Sequence, residues 1–404
     1  MSPIFKMNPL DYHVILKYHL GMLSRLLPLP ADFSETFFLW GPRQTGKTTF
    51  LLDRFPGVPR YDLLKSADFT RFTRSPQSLG EELLALPAKP RLVLLDEIQK
   101  IPQLLDEVQR LIVEHGFVFG LCGSSARKLR RGHGNLLGGR AVRFELFGLT
   151  SAEVGDQTDV VHFVNTGVLP RHYLAARPER NLRAYVEDYL RLEIAQEGLV
   201  RNLASFHDFL RASALGDSEV VNFENIAREC GVSAPTVKEH YQILVDTLLG
   251  YFVPAYTERE KRRVIRAPKF YYKDVGCVNH LAQRQNLTPG QEAFGKAFEN
   301  WICHELHAHA AYSEQHYPIR YWRLASGIEV DFILGDQVAV EVKAVERVRP
   351  QHLKGLQQFG LEHPQCQTRI LVCLETRARK LADGILVLPV LEFLRQLWDG
   401  EFTA

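Results

Sequence analysis

Several features that would settle the class of this chain at once are missing. Its six cysteines, at 122, 230, 277, 303, 366 and 373, include no C-x-x-C pair and no regular spacing. That usage argues against a disulfide framework and a structural zinc site, and it suits a reducing compartment. No apolar run approaches the ~20 residues that a membrane helix requires, and the N-terminus lacks a basic stretch followed by an apolar one. A soluble, cytoplasmic protein with no membrane partner is expected. An excess of one charge is absent too: 49 Lys and Arg against 47 Asp and Glu leave a net charge of +2. DNA contact, if any, must then come from local patches. There is no internal repeat and no low-complexity segment.

What is present is a globular composition, 46% hydrophobic and 24% charged over 404 residues, which is long enough for about two or three domains. The chain is organised around Phe37-Phe38-Leu39-Trp40-Gly41-Pro42-Arg43-Gln44-Thr45-Gly46-Lys47-Thr48-Thr49, an apolar run that breaks into a glycine loop and restarts as a helix. It satisfies G-x-x-x-x-G-K-[ST] in the strand–loop–helix context that gives the motif meaning. Gly41 and Gly46 free the backbone so that N–H groups turn toward phosphate oxygens at the positive end of a helix. Lys47 adds a charge near the β- and γ-phosphates, and the Thr48 hydroxyl is placed to ligate Mg²⁺. Residues 41–49 are therefore candidate contacts for a nucleoside triphosphate.

Before this stretch, apolar residues spaced over 10–28 predict a helix ending at Pro28 and Pro30, packed on the nucleotide domain or lying on a membrane surface. After it, Tyr61–Leu64 reads as a strand and Ser78–Leu86 as a helix. Arg91-Leu92-Val93-Leu94-Leu95-Asp96-Glu97 is a continuous apolar strand tipped with two carboxylates. Continuous hydrophobicity suits a strand buried on both faces of a parallel sheet, and the acids emerge at the ligand-binding edge. Asp96 would hold Mg²⁺ and Glu97 would polarise the attacking water; the bland alternative is a solvated helix start. Residues 117–125 form the next strand, ending on Ser124 and Ser125, which can sense the γ-phosphate or align water, cap the helix that follows, or do both. A basic run (Arg127, Lys128, Arg130, Arg131) and Gly138-Gly139-Arg140 lead into a fifth strand, 142–147. Five strands alternating with helices imply a parallel three-layer α/β domain.

Gly-Pro-Arg-Gln-Thr-Gly-Lys-Thr-Thr, Leu-Leu-Asp-Glu-Ile-Gln, Gly-Ser-Ser-Ala-Arg-Lys-Leu and Gly-Gly-Arg, in this order over about residues 37–150, resemble the AAA+ superfamily. More narrowly they resemble the prokaryotic AAA ATPases with a C-terminal DUF4143 domain. The resemblance implies ATP and Mg²⁺ as cofactors and a homo-oligomer, as a hexamer-like ring or a helical assembly. It implies an arginine finger at Arg140, with Arg130 and Arg131 as competitors. It also implies a helical lid over 151–200 and a second γ-phosphate sensor at Arg171, for which an ordinary surface arginine is the alternative.

Residues 222–244 have the pattern of a helix-turn-helix, with Gly231 ending one helix and Ser233 capping the next. The segment through Tyr251-Phe252-Val253 supplies a wing. Ser233, Ala234, Thr236 and Lys238 would face a DNA groove, and Arg259, Lys261, Arg262, Arg263 and Arg266 would meet phosphates. A protein scaffold is the other use of such a unit.

Farther on, 329–334 and 338–343 predict a hairpin across Gly335-Asp336. Glu341 and Lys343 share one face, and the turn brings Asp331 near Glu341. Two carboxylates can hold Mg²⁺ and the lysine can orient water; the alternative is a solvated strand face. Asp-x(9)-Glu-x-Lys after a helical Glu resembles the PD-(D/E)xK nucleases. The resemblance makes Asp331 and Glu341 metal ligands, Lys343 the catalytic lysine and Glu299 the helix carboxylate. The expected order is an AAA+ nucleotide domain (1–150), helical lid (151–200), winged-helix-like unit (201–267) and restriction-endonuclease-like α/β domain (268–404). Three functions stay open: an ATP-driven machine that remodels or cuts DNA, a nucleotide switch that recruits a protein, and a DNA-binding regulator without cleavage.

Overall fold

The computed structural model describes residues 23–30, 33–125, 137–190, 200, 202–257 and 266–402. The first sheet is built from β1 (Thr36–Trp40), β2 (Arg60–Asp62), β3 (Val93–Asp96), β4 (Phe119–Gly123) and β5 (Ala141–Glu145), all parallel, in the order β2-β3-β4-β1-β5. Every residue of β1, β3 and β4 is buried, which is what their unbroken apolar sequences demand of strands covered on both faces. Helices α1 (Lys47–Arg54), α2 (Ser66–Arg74), α3 (Ser78–Leu84) and α4 (Leu104–His115) make the crossovers.

The predicted helix ending at Pro28 is not found over its described part, because residues 23–30 have no regular structure. Arg25 explains this: its guanidinium donates to the carbonyls of Thr45 (2.7 Å) and Phe147 (2.6 Å) and pairs with Glu153 at 3.0 Å. The segment is spread over the glycine loop instead of coiling. The rest of that prediction, and the basic run at 127–131, lie outside the described residues.

Next comes α5 (Val160–Thr166), capped by Asp159, and then a short helix Pro178–Ala184 running into a π-helical turn. Residues 191–199 of the expected lid lie outside the described residues. Phe163 of α5 stacks on Trp301 at 5.1 Å between ring centroids, so this segment shares a core with the C-terminal part. Helices α6 (Leu203–Leu215), α7 (Phe223–Cys230) and α8 (Ala234–Asp246) follow. Asn222 and Ser233 cap α7 and α8, and Gly231 at φ 63° makes the turn between them. β6 (Gly250–Val253) pairs antiparallel with β7 (Lys269–Tyr272). Of the basic residues assigned to the wing, only Arg266 is among the described residues.

After α9 (Val275–Leu281), the 21-residue α10 (Glu292–Tyr312) lies against a mixed sheet. This sheet contains β8 (Ile319–Arg323), β9 (Glu329–Leu334), β10 (Val338–Val342), β11 (Thr368–Cys373), β12 (Arg379–Lys380) and β13 (Leu386–Pro389), in the order β12-β13-β11-β10-β9-β8. Helix α11 (Lys354–Glu362) joins β10 to β11, which run parallel, and α12 (Val390–Trp398) ends the fold. No described helix is long and apolar enough to cross a membrane.

Candidate functional site

The glycine loop leaves the carboxyl end of β1, the fourth of five strands in the sheet. A Cβ on Gly41 would lie 2.5 Å from the Leu146 carbonyl oxygen, and Gly46 holds φ 86° at the start of α1. Only glycine satisfies both positions. Thr45 closes the loop by donating its hydroxyl to the Pro42 carbonyl at 2.8 Å. Lys47 lies inside, buried, donating to the carbonyls of Gly41 (2.7 Å) and Pro42 (2.8 Å). Burial pulls its ammonium below the ordinary value against the pull of Cys122, Glu97 and Asp96.

From the next strand but one, Asp96 accepts the Thr48 hydroxyl on Oδ2 at 2.7 Å, while its buried Oδ1 has no partner. A hydroxyl and a half-free carboxylate side by side suit a hard, oxygen-seeking cation. The residues thus fit Mg²⁺, on Thr48 and Asp96. Glu97, at φ 60°, is turned toward Ser124, whose hydroxyl donates to Oε2 at 3.3 Å, and toward the Gln99 amide, which donates to the same oxygen. Ser124 therefore faces the acid, and the Asp-Glu pair is not a solvated helix start: Asp96 is 5% and Glu97 8% exposed.

Beside the loop lies an open cavity of ≈ 320 Å³, lined among others by Leu23, Arg25, Gly46, Thr49, Phe50 and Pro170. That is the size of a small-ligand pocket. Arg43 and Gln44 stand on the loop, Gln44 at φ 66°. Arg171 is exposed, one residue beyond Pro170 of the cavity wall. Arg140 is not brought to this loop. It is exposed just before β5, level with Thr36 at the start of β1, whereas the loop departs after Trp40.

Three contributors escaped the sequence reading. Arg25 props the loop from the N-terminal segment. Arg60 on β2 pairs with Asp96 at 2.8 Å, and Gln99 joins Glu97 to Ser124. Gln99 had a signal, two positions beyond Glu97; Arg25 and Arg60 had none beyond their charge.

A second cluster forms where β9 and β10 pair. The register Val340↔Phe332 sets Glu341 beside Asp331 one step on, as the hairpin predicted. Asp331 accepts the Val342 N–H at 2.9 Å, and Lys343 bonds Glu341 at 2.6 Å. Glu341 is 4% exposed, so this is no solvated strand face. Glu299 arrives from α10. Two unforeseen residues complete the cluster: Tyr271 donates its hydroxyl to Glu299 at 2.6 Å, and the Lys269 ammonium lies 3.1 Å from Glu299 and 3.4 Å from Asp331. Burial, then the charge of Asp331, push Glu341 up to about 8 and raise Glu299 as well. Burial would raise Asp331 too, but Lys343 and Lys269 outweigh it and hold it below the usual carboxylate range.

A glycine loop, a lysine and an acid-tipped strand, set at the carboxyl edge of a β2-β3-β4-β1-β5 parallel sheet, define a P-loop nucleotide-binding domain of the AAA type. Residues 34–155 match the model of an AAA domain, 157–288 that of a domain of unknown function (DUF8612) and 294–393 that of another (DUF4143). The chain thus carries an AAA-domain match followed by a C-terminal DUF4143 match, in the order the sequence resemblance implies. It is 27% identical over 305 residues to the uncharacterized proteins Rv2008c of Mycobacterium tuberculosis and Mb2031c of Mycobacterium bovis. The match covers 72% of this chain and 66% of each relative, so it spans just under two thirds of their length. Among solved structures, the ADP form of the Aeropyrum pernix ORC2 protein is similar at 15% identity over 62% of this chain and 88% of that one, with a TM-score of 0.29.

Proposed function

We propose that the chain hydrolyses ATP with Mg²⁺, as a homo-oligomer acting on DNA. The observation that carries this is the pairing of Thr48 with Asp96 at 2.7 Å, with the second Asp96 oxygen buried and unpartnered beside the glycine loop. Mg²⁺, held by Thr48 and Asp96, would neutralise charge on the β- and γ-phosphate oxygens. Lys47 trades two neutral carbonyls for phosphate, an exchange that restores the charge pairing its buried ammonium lacks. Glu97, aligned by Gln99 and Ser124, takes the proton of the attacking water at its carboxylate. Thr49, Arg25 and Pro170 line the space for the rest of the nucleotide. Arg140, before the start of β5 and away from its own loop, serves a neighbour's.

The test is phosphate release with and without Mg²⁺ and DNA, followed by subunit mixing. Arg140→Ala should lose about 10³-fold in turnover. A mixture with Glu97→Gln subunits should regain part of it, since each supplies what the other lacks. No regain would sink the shared site, and DNA that neither binds nor changes turnover would sink the DNA role. The second reading, a switch that recruits a protein, is favoured by one observation: Lys238, the one charge among the groove-facing positions, is held 5.3 Å over the Phe223 ring. Capture on the ATP-loaded Glu97→Gln protein distinguishes the two by whether protein or DNA is retained.

A further inference from the structure

The second cluster has three carboxylates, Glu299, Asp331 and Glu341, where the nuclease resemblance calls for a divalent cation. A cation already stands there. Lys269 Nζ is 3.1 Å from Glu299 Oε1 and 3.4 Å from Asp331 Oδ1, and Lys343 Nζ closes the other side, 3.5 Å from Asp331 Oδ2 and 2.6 Å from Glu341 Oε1. Val342 N–H adds a second donor to Asp331 Oδ2 and the Tyr271 hydroxyl a second donor to Glu299 Oε1, while Glu341 Oε2 is buried without a partner. Among the described residues no group of three or more His, Cys, Asp or Glu is arranged to hold a metal. The residues do not fit Mg²⁺.

Nor is Lys269 a surface lysine that has strayed inward. Its side chain is 3% exposed, and its backbone is fixed twice, in register with Val253 on β6 and bridged to Val220. Its ammonium lies 5.7 Å above the Tyr321 ring, and the Tyr321 hydroxyl donates to the carbonyl of Ala267, two residues before it. A backbone held in this way cannot withdraw the ammonium without opening the hairpin. Tyr271, two residues on along β7 and therefore on the same face, reaches the same carboxylate.

We propose that the Lys269 ammonium is the resident cation of this cluster, so that the nuclease-like site is a latch between the β6–β7 hairpin and the C-terminal sheet and not a metal centre. Lys269 falls within the DUF8612 match, and Glu299 and Asp331 within the DUF4143 match. The pair therefore joins two domains. Its consequence is that the helix pair α7–α8, which leads directly into the hairpin, is held to the C-terminal sheet by charge as well as by packing. A phosphodiester would meet two fixed ammonium groups and no hydroxide source.

Mn²⁺ tests this as a paramagnetic probe, in the nucleotide-free full chain carrying Asp96→Asn to silence the first site. With Lys269 present, no Asp331-dependent Mn²⁺ should bind up to about 1 mM. Lys269→Met should gain one site at least about 10-fold tighter, lost again when Asp331→Asn or Glu299→Gln is added. A Mn²⁺ site that exists with Lys269 in place and disappears with Asp331→Asn overturns the latch, as does a folded Lys269→Met protein that gains none. If Lys269→Met does not fold, Lys269→Gln is the second variant, and the lysine-bearing titration decides by itself: an Asp331-dependent signal refutes the latch and its absence supports it.

Discussion

Lys47 and Lys269 both stand among carboxylates, and they differ in what holds them. Lys47 is bonded to neutral carbonyls of its own loop, with the acids beside it. Lys269 is clamped between Glu299 and Asp331 from two other elements. Both are buried, yet burial pulls the first ammonium below its ordinary value. For the second, burial acts the same way, and Glu299 and Asp331 overcome it and raise the value. An ammonium on carbonyls has something to gain from a phosphate; one between two carboxylates has already been satisfied. The same residue types mark a working site in one place and a structural tie in the other.

The comparison breaks most visibly on removal of each ammonium. Lys47→Ala should cut ATP turnover by about 10³-fold, the scale of losing a principal charge-stabilising donor, read by phosphate release. Lys269→Met should cost about 3–5 kcal/mol of unfolding free energy, because it leaves buried carboxylates uncompensated. Lys47→Met should cost less, about 1–3 kcal/mol, since the carbonyls it leaves are neutral; urea unfolding of the two side by side measures the contrast. Glu97→Gln should retain ATP while slowing hydrolysis by about 10²-fold, seen as nucleotide that stays bound and uncleaved.

The smallest effect concerns pH. Burial holds His304 of α10 at about 4, against the Leu149 carbonyl and Asp274, which act to raise it. Between the ordinary value of about 6.5 and this one, the unfolded chain binds the extra proton, so the contribution is complete above 6.5 and is lost as pH falls toward 4. Its neighbour Glu305, pushed to about 7 by burial, works in the opposite sense, losing stability as pH rises from 4.5 to 7. On going from pH 7.5 to 5, the unfolding free energy from urea titrations should move toward greater stability in His304→Gln relative to the parent, by on the order of 1–3 kcal/mol.

The first site was largely legible because its parts are local. Gly41 to Thr49 are consecutive, and Asp96-Glu97 sit on an apolar run that can only be an inner strand. Strand ends shifted by a residue or two, as at β2, which begins at Arg60 and stops at Asp62. Arg25 could not be read because nothing in its neighbourhood distinguishes a helix-forming Leu-Ser-Arg-Leu-Leu from a segment pulled straight by two carbonyls 20 and 122 positions away. The second cluster was legible in its hairpin and, through the nuclease resemblance, in Glu299. Glu341 and Lys343 share a face by alternation, whereas Lys269 comes from 62 positions before Asp331. A lysine opening Lys-Phe-Tyr-Tyr reads as a strand end in water until the fold supplies its partners.

One junction sets how the two halves of the molecule would feel each other. The Leu146 N–H donates to the Trp40 carbonyl at the root of the glycine loop, and the next amide, of Phe147, donates to the Tyr312 hydroxyl on α10. Glu305 on the same helix accepts the N–H and hydroxyl of Ser151, and Lys273 pairs with Glu145. From the phosphate loop to the far domain is thus one residue of chain. A strain generated there has almost no slack to dissipate in, and the C-terminal body would move as a lever does when the hand grips it beside the fulcrum.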